Sequence, residues 1–529
     1  MKKHLVFLAC ALLTVFLASC GSGNAGNGNS SSGAGGEFGD TINFGINTDI
    51  QDLMPPKQND TTSEQVVKMI YSTLLVFKDD GTVVGDLAES WSVTDDGLIW
   101  TFKLKPGIKF HNGKTLTAND VKATFDLRNS EAGSLRTVEI LRFFSSVDVV
   151  DDLTVTIATG EPYGPMEALM CNMMLGIMDA DFIGKYTFDE LDKNVEAQNG
   201  TGPYKIISWE KDTQIALEKF DGYFGEKAKT KTINYIPIPE ASARIMALEN
   251  GEVDVIQTIT ADVLPDLEAN PNIVVLKKPS VGQRLFRFGC NDPIIGNTKV
   301  RQAISYAIDR QLIIDGLFNG VGYPSTSVLA PVTWGYHKLG SIERDLDKAK
   351  ALLAEAGYPN GFSTKIVTTE RYSKGTQMAE VLSQQLKEVG INAAVDVWEW
   401  STLAASWNGI PSSEFDQPIF IMGAGPSMRD ADGGLRGLYT TTETGLNDRN
   451  YGFYSNAEVD ELVYAGMKET DTEARKALYA RAAEILYLED PVGIWLYDQY
   501  GLCAYSTKVE GVNLSPISTI TFESATIKK

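Results

Sequence analysis

Of the residue types that carry most enzyme chemistry, this 529-residue chain holds three histidines (His4, His111 and His337) and five cysteines. So few imidazoles leave a histidine-built metal site without ligands and most nucleophiles without a base. Neither a Gly-x-Ser-x-Gly elbow nor a His-Glu-x-x-His stretch occurs. Cys10 lies in an apolar leader and Cys20 closes it. Cys171, Cys290 and Cys503 are odd in number and far apart, with no paired metal spacing and no disulfide framework. Carboxylates are abundant: 69 Asp and Glu against 47 Lys and Arg give a net charge of −22. A carboxylate-dependent extracellular hydrolase is the catalytic class this composition leaves open. The same charge repels phosphate backbones, so no nucleic-acid partner is expected. Two glycine motifs fail on context. Gly21 to Gly26 fits Gly-x-Gly-x-x-Gly with no strand before it or helix after it, and five residues separate Gly107 from Gly113 where a P-loop needs four. No cofactor and no metal site are expected.

The elements that must position any binding residues begin with an address. Met1-Lys2-Lys3 precedes an apolar run, Leu5 to Leu17, of 13 residues, short of the roughly 20 that span a bilayer. Residues 1–19 read as a signal peptide. Leu17-Ala18-Ser19-Cys20 resembles the bacterial lipobox, which implies cleavage before Cys20 and a diacylglycerol on its thiol. Gly21 to Gly36 contains only Gly, Ser, Asn and Ala, a flexible tether with a reach of about 20–25 Å. Residues 20–39 thus hold the folded body on a membrane, outside the cytoplasm.

The body is too long for one core, so two or three domains are expected. Leu98 to Leu104 and Ile108 to Phe110 read as strands, and Asn112-Gly113 as a tight turn. Thr117-Ala-Asn-Asp120 caps a helix through Val121 and Phe125. Strand pairs follow at Val147 to Ile157 and at Tyr204 to Trp209 with Gln214 to Glu218. Val300, Ile304, Ala307 and Ile308 share a helix face. The helix Leu346 to Ala356 stops at Gly357. Phe362 to Thr369, a helix with the stripe Met378, Val381, Leu382, Leu386 and Val389 ending at Gly390, and the alternating Ile391 to Val397 form a β-α-β unit. The sheet containing it should be parallel or mixed.

These segments resemble the family 5 extracellular solute-binding proteins, receptors of ABC importers for dipeptides, oligopeptides, glutathione and nickel. The most specific stretch is Leu87-Ala-Glu-Ser-Trp91, Asp95-Asp-Gly-Leu98, Thr101-Phe102 and Gly107-Ile-Lys-Phe-His111-Asn-Gly113. Gly200-Thr-Gly-Pro-Tyr204, Ala247 to Asp254, Val300 to Asp309 and Glu489-Asp-Pro491 extend the likeness. Trp91, Phe102 and His111 read as scaffold rather than ligand contacts.

The resemblance implies an α/β, two-lobed periplasmic-binding-protein-like (type II) fold with an extra subdomain in lobe I. Lobe I would comprise 40–290 plus 501–529, with 72–200 inserted, and lobe II 291–500. The chain would cross near Asn291-Asp-Pro293 and near Tyr500, and ligand would shift the population toward closure. It implies a monomer that captures a short peptide or glutathione-like solute and delivers it to a membrane permease; a nickel or metal-chelate receptor is the alternative within the family. The matching positions around the ligand are Arg371, Trp400, and Ser427, Asp430 and Asp432. A guanidinium would grip the solute's carboxylate, an indole would cover a side chain or cation, and a carboxylate would meet its amine. Ser427 stands where a dipeptide receptor would carry an aspartate, and Asp430-x-Asp432 lacks the twelfth-position glutamate of a calcium loop.

Overall fold

Thr117 begins its helix as its neighbours dictate. Its backbone amide donates to Asp120 Oδ2 at 2.8 Å, closing a capping box on the helix Ala118–Asp126. The computed structural model describes residues 38–528 other than 59, 128–140, 408, 427 and 443–448; the signal peptide, Cys20, the tether and Ser427 lie outside the described residues.

In chain order the principal strands are β1 (Thr41–Ile46), β2 (Ala88–Val93), β3 (Ile99–Leu104), β4 (Phe144–Asp151), β5 (Thr154–Thr159), β6 (Tyr204–Glu210), β7 (Gln214–Lys219), β8 (Thr232–Pro237), β9 (Val255–Gln257), β10 (Ile273–Phe288), β11 (Phe362–Thr368), β12 (Ile391–Val397), β13 (Ile419–Ala424) and β14 (Gly493–Ser506). One mixed sheet runs β12-β11-β13-β10-β14-β9-β1-β8-β7-β6, with Tyr323–Pro324 paired onto β14. A separate antiparallel sheet has the order β2-β3-β5-β4. Ile108 to Phe110 is not a strand: it makes a single bridge, Lys109 to Thr115. The His111 amide reaches Gly200 O instead of a sheet neighbour, and Gly113 turns the chain at φ +90°.

The β-α-β unit forms as its periodicity predicts. β11 and β12 pair in parallel from Phe362–Ile391 to Thr368–Val397, and the helix Gly375–Lys387 between them buries Met378, Leu382 and Leu386 completely. Truncating one such leucine to alanine costs about 2–5 kcal/mol. At the unit's entrance Gly361 has φ +75°, and a Cβ there would fall 1.9 Å from Gly390 O.

Apolar burial gathers into several cores. Ile42, Phe44, Ile233 and Phe522 belong to one, and Phe102, Phe110, Phe125 and Ile157 to that of the four-stranded sheet. Phe286, Ile366, Leu382 and Ile421 belong to a third. β10 and β14 pass from the first to the third together. Their ladder breaks register between Pro279 and Gln283, opposite Tyr500 and Asp498. Beyond that break Gln283 to Phe288 also pair with β13.

Candidate ligand-binding site

Three adjoining cavities line a trench beside these cores. The first, about 890 Å³, is walled by Asn47, Asp52, Lys57, Gln257 and Tyr500. The second, about 380 Å³, shares Asp60 and Thr61 with it and is lined by Glu64, Lys68, Asp86, Arg429 and Glu523. The third, about 800 Å³, shares Asn172, Met174 and Met428 with the second. It places Phe143 and Tyr163 opposite Gly423, Asp432, Arg436 and Tyr451. Cavities of this size suit a small solute.

The predicted residues are distributed unevenly around this space. Asp430 is buried and caps the helix Ala431–Tyr439 by accepting from Asp432 N. Arg475 holds both of its oxygens, Nη1 to Oδ2 at 2.9 Å and Nη2 to Oδ1 at 2.6 Å. Burial disfavours the Arg475 cation, yet Asp430 outweighs burial and holds the guanidinium above its ordinary value. Asp432, fully buried, lines the third cavity but is gripped by Arg436 through Nε–Oδ1 and Nη2–Oδ2 bonds of 2.8 Å each. Both carboxylates therefore have arginine partners within the chain.

Arg371 is exposed, with its guanidinium carbon 4.6 Å from the Trp400 ring centroid and no ion pair among the described residues. Tyr372 meets Trp400 edge-on at 5.9 Å and Trp407 does so at 5.6 Å. Arg284 stacks on Tyr372 at 4.0 Å. Its Nε and Nη1 are buried with no hydrogen-bond partner. Arg371 and Trp400 line a pocket of about 360 Å³ with Thr369 and Trp398 that has no lining residue in common with the trench. The structure thus joins Arg371 to Trp400 and leaves that pair apart from Asp430 and Asp432.

Arg429, which lines the second cavity, is a position that sequence pattern gave no reason to select. Its backbone is left-handed at φ +52°. Its Nη1 and Nη2 donate to Lys78 O and Asp79 O at 3.1 and 3.3 Å, with Phe77 under the guanidinium at 4.8 Å. It links the loop after β13 to the hairpin Leu75–Phe77 and Val83–Gly85. The neighbouring carboxylates are perturbed. Burial pushes Asp86 up to about 6 against a hydrogen bond from Thr73 N, and burial raises Glu64. Asp52 reaches about 7 through burial and then repulsion from Asp192.

The scaffold residues behave as such. Phe102 is fully buried. Trp91 is half-buried and donates Nε1–H to Glu167 at 2.6 Å. His111 Nε2 lies 3.1 Å from Gly202 O, and burial lowers its pKa to about 4, so the ring is neutral. Among the described residues no group of three or more His, Cys, Asp or Glu is placed to hold a metal, and no helix is long and apolar enough to cross a membrane.

The bacterial extracellular solute-binding proteins, family 5 (middle region), match residues 82–445. The chain belongs to this family. It is 30% identical over 484 residues to the glutathione-binding protein GsiB of Escherichia coli O1:K1, covering 91% of this chain and 94% of that one. Among solved structures, HbpA2 from Haemophilus parasuis superposes with TM-score 0.82 at 25% identity, covering 92% of this chain and all of that one. The ABC transporter-associated periplasmic binding protein DppA from Helicobacter pylori, in complex with the peptide STSA, gives 0.75 at 28%, covering 93% and 99%. The chain is thus a solute-binding receptor with the α/β periplasmic-binding-protein fold. The family is one of solute-binding proteins.

Proposed function

We propose that this receptor captures a short peptide or glutathione-like solute and passes it to the permease of an ABC importer, while Cys20 holds it to the membrane as a lipoprotein. The observation that carries the reading is the presence of unpaired charges of both signs along its cavities. Unpaired carboxylates line the middle cavity of the trench, and an unpaired guanidinium, Arg371 on Trp400, lines a separate pocket. A zwitterionic chain suits that arrangement better than a sugar or a bare metal ion. The relatives named for glutathione and the neighbour solved with STSA support the same class of solute. Arg371 is assigned the solute carboxylate and Trp400 an adjoining side chain. Asp432 lies on the helix that walls the third cavity, and Ser427 is assigned to the solute from the resemblance alone. The assigned lobes are 40–290 plus 501–529 and 291–500, closing on the solute as a monomer. Native mass spectrometry of protein purified without refolding weighs any retained solute, and calorimetric titration with reduced glutathione and tripeptides follows. Binding of one molecule per chain, returned chemically unchanged, is expected. Binding of a nickel chelate with none of the peptides, or steady turnover, overturns the reading.

A further inference from the structure

Buried arginines in this chain are tied to acceptors, with one exception. Arg244, Arg287, Arg301, Arg310, Arg429 and Arg475 each donate to at least one backbone carbonyl. Arg284, 9% exposed on β10, donates to no carbonyl or carboxylate among the described residues, and its Nε and Nη1 are buried without a partner. Its cross-strand neighbours bring no charge to offset it: Gly423 lies opposite on β13 and Tyr497 on β14. Tyr497 stays a neutral phenol, since burial raises its pKa and Arg284 only partly opposes that. A desolvated cation without an anion and two donors without acceptors both count against the folded state. For stability alone, an apolar side chain of similar volume would serve this position at least as well.

What Arg284 does make is a stack. Its guanidinium carbon lies 4.0 Å from the Tyr372 ring centroid, closer than the 4.6 Å of Arg371 to Trp400. The sheet leaves room for it: a Cβ at Gly423 would fall 2.8 Å from Arg284 Nη1. Tyr372 follows Arg371 in the chain, and its ring meets that of Trp400 at 5.9 Å and 77°. Its carbonyl accepts from Gly375 N, at the start of the helix Gly375–Lys387. Four side chains thus form one assembly, with Arg284 on Tyr372, Tyr372 against Trp400, and Arg371 on Trp400. Its inner end is buried and its outer end, Arg371, is exposed. Cation–π contacts gain strength when desolvated, so the Arg284 end anchors the assembly and the Arg371 end is the one free to meet a solute.

We propose that Arg284 is a positioning residue: it pins Tyr372 and, through Tyr372 and Trp400, holds Arg371 in place to receive the solute carboxylate. This rests on the assignment of Arg371 made above and deepens it. Arg284 Nε and Nη1 are closed to solvent, so the effect runs through the rings and not through contact with the solute. An exposed arginine loses rotamer freedom when it grips a ligand, and one already held in place loses less. The charge that the fold would do without therefore raises affinity, and only for solutes with a free carboxylate.

The test titrates trialanine and trialanine amide by calorimetry into wild type, Arg284→Met, Arg284→Lys, Arg371→Ala and the double variant Arg284→Met/Arg371→Ala, with urea unfolding of each protein. Arg284→Met should unfold at the wild-type midpoint or above it. It should bind trialanine more weakly by about threefold to thirtyfold, the scale of coupling through packed side chains, and bind the amide as wild type does. Arg284→Lys, which keeps a cation at the ring, should recover part of the loss. In the Arg371→Ala background Arg284→Met should cost nothing further. A lowered unfolding midpoint in Arg284→Met, or equal weakening toward trialanine and its amide, makes Arg284 scaffold and overturns the proposal. So does additive loss in the double variant, or wild-type affinity in Arg284→Met. If wild type binds trialanine and its amide equally, or binds neither, the carboxylate assignment of Arg371 fails first, and the role of Arg284 with it.

Discussion

Replacing Asp430 with alanine separates a residue that builds the fold from one that meets the solute. The substitution removes both hydrogen bonds to Arg475 and the acceptor that caps the helix Ala431–Tyr439. The Arg475 side chain is 5% exposed and that of Asp430 2% exposed, so the guanidinium left behind cannot turn to water. It keeps its bond to Gly466 O at 3.1 Å and its stack on Trp334 at 4.3 Å, neither of which neutralises it. Breaking one side of a buried pair costs about 3–5 kcal/mol, and losing an aspartate cap about 1 kcal/mol more. Asp430→Asn keeps a cap acceptor and should fall about 1 kcal/mol short of the alanine variant. Asp430→Ala combined with Arg475→Met, which removes the stranded charge, should recover part of the loss. The assay is urea unfolding followed by tryptophan fluorescence, with glutathione titration of each variant at a temperature where it is folded. Affinity within about threefold of wild type, beside a loss of several kcal/mol, is the expected pair of results. An unchanged unfolding midpoint with abolished binding would refute this reasoning and return Asp430 to the solute.

Three further outcomes follow from the sequence and the geometry. Arg371→Ala should leave stability unchanged, because the residue is exposed and unpaired, while calorimetry shows glutathione and tripeptide binding weakened by about tenfold to a thousandfold and the preference for free over amidated C-termini lost. Cys20→Ala should move the protein from the detergent-dependent membrane fraction to the soluble one on fractionation. Asp52→Asn should raise the unfolding free energy from urea titration at pH 8 by on the order of 2 kcal/mol, since the folded state holds this acid up at about 7 from 3.8. A raised carboxyl destabilises the fold where it is ionised, so the gain is full above pH 7, shrinks as pH falls, and is gone below about 4.

Local pattern carried much of the fold into view. The capping box at Thr117 and Asp120, the Gly390 stop and the Ile391 to Val397 alternation each involve neighbours a few residues apart, so their physics is written in consecutive letters. Ile108 to Phe110 failed as a strand because its pairing with Lys114 to Leu116 amounts to a single bridge, and the next amide, that of His111, is taken by the distant Gly200 O. The neighbour of Gln283 to Phe288 could not be read from composition either, since these residues look alike whether β13 or another strand lies beside them.

The same distinction governs the site. Asp432 and Arg436 are one helical turn apart, and their pairing could be read from spacing alone. Asp430 finds Arg475 across 45 positions, so the sequence shows an acidic pair in a loop and hides the cation that claims its first member. The middle cavity is further still from local reading. Gln65, beside Glu64, accepts from the amide of Ile520, 455 positions along the chain, and that buried bond is what brings the C-terminal segment carrying Glu523 against the helix Thr61–Ile70. Glu64, Asp86 and Glu523 are unremarkable letters in an acidic protein, each apart from the others until the fold closes. In the fold they line one cavity, and none of the three has an ion-pair partner among the described residues.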